Sequence, residues 1–193
     1  QGLLAFDSDW QPVQNALTRA LDGVPVQSLM VDSRGRTYSE LGLVRYDTGG
    51  GEIVFFNQSN GLGSTRIRVA FELRDGTVAV GTQDGLALIR GDGVAAFYDK
   101  DSGLEAQSIL CIAQAPNGTL LAGSAGGGIY ALDKAWILAG ETPHATQYGT
   151  ARGLTGSLRV NTCNYMAPDG SLYLATRNGV SVFDFREISA PMP

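Results

Sequence analysis

A short polar turn ending in glycine recurs four times along the chain, at Arg34-Gly35, Asp75-Gly76, Asn117-Gly118 and Asp169-Gly170, with glycine spacings of 41, 42 and 52 residues. Apolar runs precede each turn (residues 26–31, 67–73, 109–113 and 160–166) and follow it (37–38, 77–80, 119–122 and 171–174). Asp-Gly and Asn-Gly between such runs signal hairpins, and a type I′ turn, with positive φ at both central residues, is the expectation. A glycine with a branched apolar residue opens a third run at Gly42-Leu43, Gly85-Leu86, Gly128-Ile129 and Gly179-Val180. A fourth run closes on an aromatic residue five positions before another glycine: Phe56 before Gly61, Tyr98 before Gly103, Tyr148 before Gly153.

Four short strands in roughly 42 residues is the arithmetic of a β-propeller blade, so the expected class is all-β, built from four-stranded antiparallel blades in a partial or small propeller. Helical solenoids of similar period would show apolar residues at 3.6 spacing, and no convincing run does so. The nearest case, residues 12–21, fits the outer strand of a preceding blade, the alternative being a short helix in its place. The phase of the repeat divides a single propeller region into a half blade (1–22), three blades (23–60, 61–102 and 103–152) and a partial blade (153–193). Open blade edges carry unpaired backbone groups, so further propeller blades or a neighbouring chain are expected to meet the terminal blades.

Composition narrows the function. With 44% hydrophobic and 17% charged residues the chain is too apolar for disorder. A net charge of −5 with dispersed Lys and Arg offers no footprint for nucleic acid, and no uninterrupted apolar stretch is long enough for direct membrane insertion. Cys111 and Cys163 fall at equivalent repeat positions, where Ser28 and Val69 stand in the other copies; small size explains the set, and free thiols are expected.

These motifs resemble the two-component regulator propeller repeat of bacterial extracytoplasmic sensors. The residues that carry the likeness are Asp32-Ser33-Arg34-Gly35, then Gly42-Leu43-Val44-Arg45-Tyr46-Asp47; Asp75-Gly76 with Val80-Gly81-Thr82 and Gly85-Leu86; and the steps Ala122-Gly123-Ser124 and Leu174-Ala175-Thr176. The tryptophan of that repeat's second strand is replaced in every copy, by Tyr38, Ala79, Leu121 and Tyr173. The resemblance implies a periplasmic or extracellular, non-catalytic sensory module of a histidine-kinase or diguanylate-cyclase receptor. A protein–protein scaffold is the alternative, and a propeller lyase or hydrolase a more distant one.

Chemistry-bearing residues are sparse. The only histidine, His144, lies in a polar insertion without a catalytic motif around it, and no nucleophile, phosphate-loop or metal-ligand signature occurs. No catalytic residue, metal or cofactor is therefore expected. The segment Asp99-Lys100-Asp101-Ser102-Gly103 has half the look of a calcium loop but lacks the closing glutamate. Asp32 and Glu72 are the acids on the innermost strands. Loops entering those strands, with the loops between second and third strands, share one rim, where Arg66, Arg68, Gln83, Gln107, Arg159, Asn161 and Arg177, flanked by Asp84 and Asn178, form a candidate site. Such a set suits a carbohydrate or another small polar ligand.

Overall fold

A computed structural model describes residues 2–26, 28–40, 42–106, 108–139, 145–158 and 164–186. Its strands form consecutive antiparallel sheets, each a meander. The first complete sheet runs β3 (Leu29–Val31), β4 (Arg36–Glu40), β5 (Leu43–Asp47) and β6 (Ile53–Phe56). The second holds β7 (Ile67–Glu72), β8 (Val78–Thr82), β9 (Leu86–Arg90) and β10 (Gly93–Tyr98). The third holds β11 (Ile109–Gln114), β12 (Leu120–Ser124), β13 (Gly128–Leu132) and β14 (Thr146–Tyr148), and the last stops at β15 (Asn164–Met166), β16 (Ser171–Thr176) and β17 (Gly179–Asp184). Ahead of them a two-stranded piece, β1 (Ala5–Phe6) and β2 (Pro12–Val13), leads into α1 (Ala16–Ala20).

Sheets pack face to face, which is why their middle strands are apolar on both sides. Leu43, Leu62, Ile67, Val78 and Ala87 fill the space between the first and second blades; Leu86, Leu88, Ile109, Ile112 and Leu120 that between the second and third; and Leu121, Ile129, Leu172, Leu174 and Phe183 that between the third and fourth. The repeat glycines make this spacing possible. A Cβ on Gly81, at the end of β8, would sit 2.7 Å from the Ile109 side chain of the next blade. One on Gly85 would come 2.0 Å from the Tyr98 carbonyl oxygen, where third and fourth strands converge. Gly128 meets Tyr148 O in the same way, whereas Gly179, whose sheet has no fourth strand among the described residues, has nothing within 4 Å.

The hairpin turns differ from expectation. Gly35, Gly76, Gly118 and Gly170 have positive φ, but Arg34, Asp75, Asn117 and Asp169 do not, so these are not type I′ turns. Instead the Gly76 N–H bonds to Leu73 O and the Leu73 N–H to Thr77 O, a type I turn followed by a left-handed glycine. The Asp75 carboxylate then takes the Thr77 N–H at 3.1 Å, as Asn117 takes Thr119 and Asp169 takes Ser171. Local side-chain bonding selects the turn that keeps the Asx residue at negative φ.

Two helices interrupt the strands, the first of them the alternative held for residues 12–21. Residues 12–21 supply only Pro12 and Val13 to a strand; Asn15 then forms a reciprocal cap with Thr18, and Leu17 and Leu21 of the helical segment bury against Val44 and Tyr46. In the insertion between β13 and β14, α2 (Lys134–Ala139) starts where the Asp133 carboxylate accepts the Ala135 N–H, and Leu138 packs toward the core between the second and third blades.

Both ends of the stack show apolar sheet faces. Tyr165, Tyr173, Val180 and Val182 are 60, 41, 63 and 54% exposed on one face of the last sheet. Their counterparts Ala113, Leu121, Ile129 and Ala131 in the third blade are covered by the fourth. At the other end Leu29 and Val31 of β3 are exposed, while Val44 and Tyr46 of the same sheet are covered by the α1 segment.

Gly85→Ala is expected to destabilise the fold by about 3 kcal/mol, because the new methyl group overlaps a backbone oxygen that cannot rotate away. Gly76→Ala, which meets open space and only positive-φ strain, should cost about 1–2 kcal/mol. Urea unfolding of the two variants checks the order.

Candidate functional site

The rim is assembled by the same backbone pairing in successive blades. The Gln83 N–H donates to Arg66 O at 2.9 Å, the Ser108 N–H to Gln83 O at 2.9 Å, and the Ala125 N–H to Ser108 O at 3.1 Å. Two blades along from Gln83, the Arg177 N–H donates to Ser157 O at 3.1 Å. Thr82 anchors the loop from beneath: its buried hydroxyl accepts the N–H groups of Asp84 and Gly85 and donates to Gly85 O, and Thr176 makes the matching bonds to Asn178 and Gly179. That is the physical content of the Gly-Thr step in the repeat.

On this frame Arg66, Arg68 and Gln83 come together. One terminal nitrogen from each guanidinium donates to the same Gln83 Oε1, both at 3.1 Å. A bulge between Ile67 and Val69 carries Arg68 on the innermost strand. Its Nε is buried without a hydrogen-bond partner. Among the described residues neither arginine meets a carboxylate at ion-pair distance. The two donating nitrogens lie within about 6 Å of each other, so two like charges are held close together. Gln83 shares its oxygen between them, and its amide nitrogen donates to no partner among the described residues.

Arg177 and Asn178 occupy the equivalent loop of the fourth blade, where Asn178 Nδ2 donates to Thr155 O at 2.8 Å. Asp84 is exposed at the tip of its hairpin. Gln107, Arg159 and Asn161, together with His144 and Cys163, fall outside the described residues. Sequence reading missed the hydroxyl cluster beside Asn178, in which Thr155 Oγ1 lies 3.1 Å from Thr176 Oγ1 and 2.8 Å from Ser181 Oγ; isolated Ser and Thr positions carry no pattern that announces such a meeting.

The innermost-strand acids have other work, at the far ends of their strands. Glu72 lies four residues beyond Arg68 along β7, about 13 Å at the usual strand rise. Its carboxylate accepts the Ser33 N–H and hydroxyl of the preceding blade at 2.6 and 2.7 Å. Gln114 stands at the same repeat position and accepts the Arg74 N–H at 2.9 Å. Asp32 accepts the N–H groups of Arg34 and Arg36 and pairs with Arg36 Nε at 2.7 Å. Burial pushes the Asp32 carboxyl up, but the hydrogen bonds from Arg36 and Arg34 outweigh it and hold the group below the usual carboxylate range. These acids splice turns and blades. They do not face the arginine pair.

The Asp99 loop is likewise a turn: Asp99 Oδ1 accepts the N–H groups of Asp101 and Ser102, and Gly103 closes it in the left-handed region. Among the described residues no group of three metal-ligating side chains converges. Cys111 is a free, buried thiol pushed up to about 12 by burial, as its small-residue position implied. Among these residues no helix is long and apolar enough to cross a membrane.

No family model and no curated protein matches the sequence. Solved structures do. The extracellular domain assigned to a hybrid two-component system of B. thetaiotaomicron is similar at TM-score 0.65 and 23% identity, over 82% of this chain and 21% of that one. PorZ, a bacterial surface component of the type-IX secretion system of Porphyromonas gingivalis, is similar at 0.57 and 16%, over 95% and 36%. Virginiamycin B lyase from Staphylococcus aureus is similar at 0.57 and 13%, over 84% and 56%. The chain thus spans about a fifth of the first of these proteins and about half of the lyase. At these identities the shared property is the fold, which is a β-propeller.

Asp32→Asn should cost about 2 kcal/mol at neutral pH, because a charged acceptor of several hydrogen bonds is lost. A carboxyl depressed in the folded state stabilises fully above its unfolded pKa of about 3.9, and that contribution disappears as pH falls through the folded value. Urea titrations between pH 7 and pH 2 should therefore show a shallower acid loss in the variant than in the parent.

Proposed function

We propose that the chain is an extracytoplasmic ligand-recognition module of a bacterial signal-transduction receptor, of the histidine-kinase or diguanylate-cyclase type, acting by binding and not by chemistry. The observation that carries this reading is the rim cluster of Arg66, Arg68 and Gln83, rich in donors and separated from the acids an acid–base mechanism would need. The repeat resemblance and the likeness to an extracellular two-component domain support the setting. The ligand class is a carbohydrate or another small polar molecule bound across the rim, with Arg177 on an equivalent loop and Gln107, Arg159 and Asn161 assigned to the same rim by their repeat positions.

A thermal-shift screen against neutral sugars, uronic acids and oligosaccharides tests it, since a ligand that binds only the folded state raises the melting temperature. At least one compound should raise Tm in the parent and fail to do so in the Arg66→Gln/Arg68→Gln double variant. A flat screen, or a shift that the double variant retains, would remove the site from this role.

A second reading, a scaffold for assembly, is favoured by the exposed row Tyr165, Tyr173, Val180 and Val182. Three blade interfaces within the chain show what covers such a row, namely the rear face of another blade. In a solution of this chain alone, that blade can come only from a second copy, whose rear-face residues Leu29 and Val31 are open. Light scattering should then report a mass above 20.3 kDa that falls to one chain in a Tyr165→Asp/Val182→Asp variant. A parent mass equal to one chain at high concentration would count against assembly through this face.

A further inference from the structure

The recognition reading does not specify the charge of the ligand, and the arginine pair bears on it. We propose that Arg66, Arg68 and Gln83 form an oxyanion-binding site, so that the ligand is a small polar molecule bearing a carboxylate or a comparable acidic group, a uronic acid being the simplest sugar of that kind. This rests on the recognition role assigned to the rim above.

Four observations carry it. First, two guanidiniums are brought onto one neutral oxygen, Gln83 Oε1, with no carboxylate beside either among the described residues. An oxyanion supplies the missing charge and accepts forked N–H pairs, for which guanidinium geometry is suited. Second, Arg68 Nε is buried and lacks an acceptor. The other buried nitrogen in that condition, Arg45 Nε, belongs to a guanidinium that Asp92 already neutralises at 2.6 Å. Among the described residues Arg68 has no such counter-charge.

Third, the blade architecture does not ask for a cation at this position. The same bulge in the next blade, between Ile109 and Cys111, carries Leu110, which is buried in the apolar core. Placing an arginine at its counterpart gives up that burial, and nothing else in the second blade uses the charge. Fourth, the frame is built before any ligand arrives: Gln83 is tied through its backbone N–H to Arg66 O and through its carbonyl to the Ser108 N–H, so its side-chain amide, which donates to no partner among the described residues, sits on a fixed loop. A preorganised set of donors loses little freedom on binding. In a protein of net charge −5 the general field repels anions, so affinity for one must come from local cations such as these.

The arginine Nε–H signals of the ¹⁵N-labelled 193-residue chain provide the test. Sodium glucuronate, glucose and sodium sulfate are each titrated at constant ionic strength. The Arg68 Nε–H signal should shift saturably with glucuronate and respond about tenfold more weakly to glucose, the margin expected when a charge-assisted contact is absent. A shift with sulfate supports the site as well, because it identifies the oxyanion as sufficient. Arg68→Gln and Arg66→Gln should each weaken glucuronate binding by about tenfold or more while the remaining amide spectrum stays that of the folded chain, and Arg152→Gln should leave it unchanged. An equal response to glucose and glucuronate would overturn the oxyanion assignment and leave recognition of neutral polar ligands standing. Silence of the Arg68 signal toward glucuronate and sulfate alike would overturn it too, and the sugar screen would then decide the broader role separately.

Discussion

Every feature of this protein depends on apolar sheets lying face against face. A four-stranded blade has two apolar faces and can bury neither alone, so each is stable only as part of a stack. Burial of a Leu or Ile side chain contributes about 1.5–3 kcal/mol, and each interface between blades holds several. Close approach is what makes these contacts good, and it is obtained by removing side chains where backbones converge: Gly81 against Ile109, Gly85 against the Tyr98 carbonyl, Gly128 against the Tyr148 carbonyl. The repeat motif is therefore a record of contacts between strands, and the open space at Gly179 is its complement, a glycine that meets no outer strand among the described residues.

Polar side chains follow a second division along each innermost strand. At one end Glu72 and Gln114 reach back to the turn of the preceding blade and fasten neighbours together. At the other end lie the loops that hold Arg66, Arg68 and Gln83. Strand rise alone keeps the two sets apart. Acids are thus engaged in structural bonds at one rim, and at the other two cations share a neutral oxygen with no carboxylate at ion-pair distance among the described residues.

Much of this was readable before any coordinates. The spacing of turn glycines located four hairpins, the aromatic residue before each loop located the ends of β6, β10 and β14, and the glycine-apolar pairs located the starts of the third strands. Where sequence reading went astray, a local bond decided against a regional pattern. The Asx side chains chose type I turns with a left-handed glycine over the mirror-image turn. The reciprocal cap of Asn15 and Thr18 favoured the alternative held for residues 12–21, a short helix, and the Asp133 carboxylate starts α2 within the polar insertion. For the rim, residue type pointed to Arg66, Arg68 and Gln83, but their convergence on one oxygen depends on a bulge in β7 that no spacing reveals.

What the amino-acid order determined by itself is the unit, four strands and the turns between them, because these rest on local turn chemistry and the spacing of short apolar runs. Which unit faces which, and with what, was decided only in three dimensions. Ala113 and Tyr165 occupy the same position in successive blades, yet one is 2% exposed and the other 60%, because a neighbouring sheet covers the first and none among the described residues covers the second. Likewise the sequence supplies Leu110 and Arg68, but only the folded chain places both at the same bulge and brings Arg68 onto the oxygen that Arg66 also meets.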